Sequence, residues 1–450
     1  MLLESKSWLK ITAGVLLAIG LISLYLYGAR YQMLVLNVEM SSNDQQAYMV
    51  YTQQMVESNY TFVGGRNRMP VYPFIQSLFY ETGMGDERFF LWGKQINIAL
   101  SLILLGGLAL ITSRWLPLFD WVNLLLLTTF TVFIFKAGFF QVELLFYFLS
   151  FCLFLQLWCL LKRPDWRWGI AAGVLAGMTH LTKASVLPAL ALYFCLAGGL
   201  FVWTWWQGRG DENRRWPWPS LVTPILVGVF FLITVSPYIM TSKRVFGRYF
   251  YNVNSTFYMW YDSWGEVSNG TKAHGDRVGW PDMPAEEIPS LQKYLREHTT
   301  EQIFGRFVSG GRLVWENVVN SYGYLKYVAI YGVWFLGLLW LHRKTLFERG
   351  LAAVFPVLFV LGYQIGYLLL YFWYAPIASG NRFVLALFLP LIFILAWGNW
   401  EYRPRQPFPV PVNGVNLSWH NALHSVLLVI IAIDIYLVMT QRIFLIYGGR

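Results

Sequence analysis

Apolar runs long enough to cross a bilayer recur along most of the chain, separated by short polar stretches. A helix needs about 20 predominantly apolar residues to cross the hydrocarbon core. On that rule the pattern predicts spans near 9–28, 94–113, 119–135, 143–161, 168–181, 184–206, 221–240, 326–341, 350–373, 383–400 and 425–441. The 168–206 pair also reads as one long helix broken around His180-Leu181-Thr182-Lys183. The first run is long enough to be retained as a span and lacks the small-residue cleavage site of a signal peptide. Two longer polar segments, about 29–93 and 241–325, interrupt the runs. The expectation is an all-α polytopic membrane protein of about eleven transmembrane helices. Its parts are an N-terminal transmembrane module 1–240 that includes the loop 29–93, a cap segment 241–325, and C-terminal helices 326–450.

Composition sharpens this picture. Hydrophobic residues make up 56% of the chain and charged residues only 13%. Soluble domains carry about 45–50% apolar and about 25% charged residues. The net charge of +10 lies in short clusters between the apolar runs, which points to cytoplasmic anchoring and anionic lipid and away from nucleic acid. These clusters are Lys6 and Lys10; Lys162, Arg163 and Arg167; Arg209, Arg214 and Arg215; His342, Arg343 and Lys344; and Arg403 and Arg405. With eleven spans all of them fall on one side, so both long polar segments fall on the outer side. A bacterial cytoplasmic membrane, with the working parts facing outward, is the expected location. Cys152, Cys159 and Cys195 sit inside apolar runs and read as small hydrophobes.

The informative polar stretch follows the first span. Ser42 and Gln45 have capping-box spacing, predicting a short helix with Asp44 in its first turn and Tyr48, Tyr51 and Met55 on one face. Pro70 and Pro73 predict a second interfacial helix, Tyr72–Glu81, that holds Arg66 and Arg68 at fixed depth. Transfer from a phospholipid-linked donor needs a carboxylate to accept the attacking hydroxyl's proton. It needs cations on the departing phosphate, and an apolar groove for the tail. Asp44 meets the first demand, Arg66 and Arg68 the second, and the surrounding spans the third. Taken singly, Asp44 reads equally well as a helix-start residue, and the arginines as contacts for lipid headgroups.

The ordered combination, an Asp and then Arg68-Met-Pro70-Val-Tyr72-Pro73 directly after a first span, resembles the GT-C superfamily of membrane glycosyltransferases. That superfamily includes protein O-mannosyltransferases and lipid A aminoarabinose transferases. The resemblance covers roughly the N-terminal half and implies a GT-C type bundle with interfacial helices in the first outer loop. It places Asp44 at the catalytic acidic position, with Glu39 and Glu143 as possible second acids. It also sets Lys183, in Leu181-Thr182-Lys183, and Arg382, in Gly380-Asn381-Arg382-Phe383, on the lipid phosphate beside Arg66 and Arg68. Snorkelling is the plain alternative for Lys183, an end-of-helix charge for Arg382, and a solvated interfacial carboxylate for Glu143. The family often carries two carboxylates at the first acidic position, whereas this chain has Asn43-Asp44-Gln45. A lone carboxylate favours no obligatory metal.

The implied function is inverting transfer of a sugar from a polyprenyl-phosphate-linked donor to a hydroxyl on a glycan, lipid or protein acceptor. The rivals are a transporter or lipid flippase, and a ligase or polymerase of lipid-diphosphate glycans. No Walker loop is present, so ATP use is not expected. The six histidines lack metal-ligand spacing; His420 and His424 are four residues apart but fall at a helix start on the cytoplasmic side, away from the outer loops. The 241–325 segment combines carboxylates with Trp260, Trp264 and Trp280, which suits a folded cap or a sugar-binding surface equally.

Overall fold

The structure is a computed structural model that describes residues 2–62, 64–207, 218–342, 354–378, 380–403 and 418–444. The basic residues Arg209, Arg214, Arg215, Arg343, Lys344 and Arg405 lie outside the described residues. Helices form throughout, and no β-strand occurs among the described residues. In chain order they are α1 (Leu2–Tyr31), α2 (Gln45–Glu57), α3 (Val71–Ser77), α4 (Asp86–Thr112), α5 (Leu118–Thr128) and α6 (Glu143–Lys162). There follow α7 (Trp166–Thr182), α8 (Leu187–Gln207), α9 (Trp218–Phe246), α10 (Val253–Thr256), α11 (Trp264–Asn269) and α12 (Leu291–Glu297). The last are α13 (Thr300–Asn320), α14 (Tyr324–Leu341), α15 (Val354–Tyr374), α16 (Arg382–Glu401) and α17 (Trp419–Leu437). Helices α1, α5 and α17 each continue into a wider π turn, at Gln32–Leu36, Thr129–Phe133 and Val438–Ile443.

Every predicted span coincides with a helix. Among the described residues, nine helices are long and apolar enough to cross a membrane. The remaining two are shorter, Leu118–Phe133 and the 17-residue α7. The long helices expose large apolar side chains, including Leu16, Ile103, Leu110, Val333 and Leu336. Lipid tails solvate such a surface and water does not. The chain is an integral, multi-pass membrane protein.

Two compact units divide the chain. The first comprises Met1–Met49, Gly83–Leu144 and Arg403–Arg450; the second comprises Val50–Thr82 and Leu145–Tyr402.

In the first unit, α4 carries a ladder of buried polar side chains at Lys94, Asn97 and Ser101. Lys94 Nζ donates to the carbonyls of Met33 and Asn37, each at 2.8 Å, just past the end of α1. Asn97 Nδ2 donates to the carbonyls of Lys136 and Ala137, and Ser101 accepts from the Tyr25 hydroxyl. Carbonyls left over where helices end or widen have no water to bond at this depth, and the ladder supplies their donors.

In the second unit, α7 packs closely on α9. Gly169, Gly173 and Gly177, spaced by four, form the contact face. A Cβ on Gly169 or Gly173 would meet the Thr223 carbonyl at 3.0 Å or the Val227 carbonyl at 2.6 Å, and one on Gly177 would strike Thr234. Small residues at this spacing let two backbones approach where the surrounding lipid offers no hydrophobic drive. The 246–267 stretch has its own small core of Phe246, Tyr251, Val253, Phe257, Tyr258 and Val267, closed by Ile377.

Candidate functional site

Asp44 stands in a single 3-10 turn, Ser42–Asp44, that leads into α2. The expected capping box does not form. The Ser42 hydroxyl donates to the Glu39 carbonyl and accepts from Gln45 Nε2, so it bonds a side chain where a capping Ser would bond backbone. Asp44 has φ +68°, in the left-handed region that residues other than glycine rarely occupy. Arg66 shares this feature, with φ +48°. Strained backbone of this kind persists only where the surroundings hold it, and it clusters at functional sites.

Gln45, next to Asp44, is fully buried. Its amide exchanges two 2.8 Å hydrogen bonds with the Asn37 amide and accepts the Phe140 N–H at 2.8 Å. Asn37 Nδ2 also donates to the Gly138 carbonyl at 2.9 Å, which fixes the orientation of both amides. Together with Lys94 on the Asn37 carbonyl, these groups clamp the chain just before Asp44. Position 45 must donate and accept at once, which an ionised carboxylate cannot do. Glu39 is exposed, with its carbonyl bonded to Gln45 Nε2 at 3.2 Å. Glu143 opens α6 and is 2% exposed, so it is not a carboxylate sitting in water.

Four predicted cations lie in the second unit. The Arg66 guanidinium is buried, 3.7 Å from the Tyr238 ring centroid, and donates to the Tyr238 carbonyl at 3.3 Å. Its own carbonyl accepts the Val253 N–H. Arg68 is half-buried and donates to the Asn67 carbonyl at 2.8 Å. That carbonyl also accepts from Asn254, whose side-chain oxygen takes the Tyr374 hydroxyl at 3.0 Å. The second helix is shorter than expected, Val71–Ser77, with Pro70 at its N-cap.

The 168–206 run resolves into two helices, with Lys183 as the C-cap of α7 in extended conformation. The Tyr367 hydroxyl fastens the turn by donating to the Ser185 carbonyl at 2.6 Å. Lys183 Nζ lies 5.2 Å from the Phe383 ring centroid and 5.3 Å from that of Phe146. The Arg382 guanidinium is also 5.2 Å from the Phe383 centroid, and the Tyr147 hydroxyl anchors the Arg382 carbonyl at 2.8 Å. The end of α7 and the start of α16 therefore set two cations about one aromatic ring. Tyr374 touches that ring too, centroids 6.0 Å apart, and so joins the Arg68 loop to it through Asn254.

One further cluster lies in the first unit. Asp120 on α5 faces His420 Nε2 at 2.7 Å and His424 Nε2 at 3.0 Å, and all three side chains are fully buried. Their ligand atoms lie within 4.8 Å of one another, a set that could hold a metal ion. Asn123 argues for hydrogen bonding instead. Its Nδ2 donates to the His424 carbonyl and to His424 Nδ1, each at 3.1 Å. The carbonyl fixes the amide, Nδ1 must accept, and the proton of neutral His424 sits on Nε2 facing Asp120. A metal there would displace that proton and force one onto Nδ1 against the amide donor. The cluster locks α5 to α17. The histidine spacing was visible in the sequence, but the third partner, 300 residues away, was not.

No protein-family model matches the chain, and no curated protein does. Among solved structures it is similar to the crystal structure of ArnT from Cupriavidus metallidurans bound to undecaprenyl phosphate. The identity is 15%, the match covers 86% of this chain and 78% of that one, and the TM-score is 0.31. A likeness at that level assigns neither family nor activity, and the functional reading rests on the residues themselves.

Proposed function

We propose that this chain is an inverting glycosyltransferase of the GT-C type, which moves a sugar from a polyprenyl-phosphate donor to an acceptor hydroxyl at the outer membrane face. The observation that carries the reading is Lys183, brought from the end of α7 to the ring of Phe383, which follows Arg382 at the start of α16. Cations held on aromatic faces at the ends of spanning helices suit a phosphate at the membrane surface whose tail runs down into lipid. Arg68 joins them through the Asn254–Tyr374 link. Arg66, committed to Tyr238, braces the loop.

Asp44 is the base in this proposal. It accepts the proton of the acceptor hydroxyl as that oxygen attacks the anomeric carbon. The bond from that carbon to the phosphate oxygen breaks, and the electron pair leaves on the polyprenyl phosphate beside Lys183, Arg382 and Arg68. A single displacement inverts the anomeric centre. General-base assistance contributes about 10²–10⁴-fold. Asp44→Asn keeps the shape of the side chain and removes the base, so sugar transfer from a polyprenyl-phosphate donor is expected to fall by about that factor. A well-folded variant that transfers at the wild-type rate removes the mechanism.

A further inference from the structure

The chain segment that connects α9 to α13 forms a cleft of about 420 Å³, within the about 300–1,000 Å³ range of small-molecule sites. Trp260, Tyr261 and Tyr294 line it together with Glu266, Asn269 and Glu287. Its base is built on Asp262. The two oxygens of that carboxylate take Arg306, the Tyr294 hydroxyl and His298, each at 2.8 Å. Arg306 is buried, bonded to the carbonyls of Met259 and Trp373, and lies 4.3 Å from the Trp373 ring centroid. Tyr294 stacks on His298 with ring centroids 3.9 Å apart. Burial pushes the Asp262 carboxyl up, but the bonds from Tyr294 and His298 and the Arg306 charge outweigh it and hold it below the ordinary carboxylate value. Asp262 is thus spent on structure. Glu266 is spent too, on Ser263 Oγ and the Asp262 N–H.

Asn269 and Glu287 are different. Among the described residues neither side chain has a hydrogen-bond partner or an ion pair, yet both face the cleft. The cleft therefore offers aromatic surface, one amide and one uncommitted carboxylate over a braced base. Sugars present C–H faces that stack on such rings and hydroxyls that bond such groups. The lining is acidic overall: Asp262, Glu266, Glu287 and Glu297 against Lys293 and His298. An anionic ligand meets repulsion there.

We infer that this cleft binds the sugar acceptor, as a non-anionic saccharide. The inference rests on the glycosyl-transfer reading and names its acceptor class. The test uses the full-length protein in detergent and saturation-transfer NMR with three disaccharide probes: cellobiose, the disaccharide of glucosamine, and digalacturonate. The first two give signal and digalacturonate gives none. Asn269→Ala and Glu287→Ala, both on the surface, each weaken binding about 2–10-fold, the effect of one hydrogen bond. Glu287→Lys admits digalacturonate. Absence of signal from both non-anionic probes, equal signal from the acidic one, or unchanged affinity in the two alanine variants overturns the proposal. Undecaprenyl phosphate binding by the same preparation separates the two readings. Lipid binding without saccharide binding removes only the acceptor cleft, whereas saccharide binding without lipid binding removes the donor.

Discussion

Gln45→Glu changes one atom group next to the proposed base and tests whether the amide clamp holds it. The wild-type Nε2 gives one hydrogen to Asn37 Oδ1 at 2.8 Å, while Ser42 Oγ at 3.1 Å and the Glu39 carbonyl at 3.2 Å share the other. A carboxylate supplies no donor, so Asn37 Oδ1 would face another acceptor in a fully buried site. Asn37 cannot escape by turning over, because its Nδ2 is held by the Gly138 carbonyl. The easiest relief is for the new Glu to stay protonated and give one O–H to Asn37. From an unfolded pKa of about 4.3, holding that proton at pH 7 costs about 3.7 kcal/mol, and the second lost donor adds about 1 kcal/mol. The folded pKa of the new Glu is then raised. The proton penalty is absent below about pH 4.3, grows as pH rises, and levels off above the folded value. Thermal unfolding of the detergent-solubilised variant, compared with wild type at each pH, reads this out. A deficit of about 4–5 kcal/mol at pH 7 that shrinks to about 1 kcal/mol near pH 4 is expected. A variant as stable as wild type at pH 7, or a deficit independent of pH, refutes the clamp.

Gly173→Leu forces a side chain against the Val227 carbonyl and should separate α7 from α9. A stability loss of about 1–3 kcal/mol or more is expected, with loss of polyprenyl-phosphate binding because Lys183 caps α7. Asp262→Asn should lower the melting temperature above pH 4 and lose its effect as pH falls below about 3.9, since the depressed wild-type carboxyl then takes up its proton. Asp120→Asn leaves one of the buried His420 and His424 Nε2 donors facing an amide N–H and should destabilise by about 1–3 kcal/mol, measured by the same unfolding assay.

The apolar runs were legible because such a run is a local property: each falls on a helix, and nine of the described helices are long and apolar enough to cross a membrane. Helix α7 stops at Thr182 and α8 starts with Pro188 in its first turn, so the apparent single run divides at Lys183. Asp44 and the Arg68–Pro73 element stand out in the sequence as candidates only, as residue types in a fixed order. The clamp that positions Asp44 was not legible. Asn37, Gln45 and Gly138 are joined by amides and carbonyls across 101 positions, with the Lys94 side chain on the Asn37 carbonyl, and no local spacing announces such bonds. The left-handed backbone at Asp44 and Arg66 was hidden for the same reason, since neither is glycine. Gly169, Gly173 and Gly177 carry a readable four-residue spacing, and it is the signal for a tightly packed neighbour.

Donor binding in the proposed mechanism depends most on Lys183 and Arg382 holding a lipid phosphate. Its most direct measurement is the affinity of the full-length protein for undecaprenyl phosphate, with Lys183→Met and Arg382→Met beside wild type. Each substitution removes a charge-assisted hydrogen bond and is predicted to weaken binding about 10–100-fold. Affinities that match wild type in both variants, with the fold intact, would contradict it.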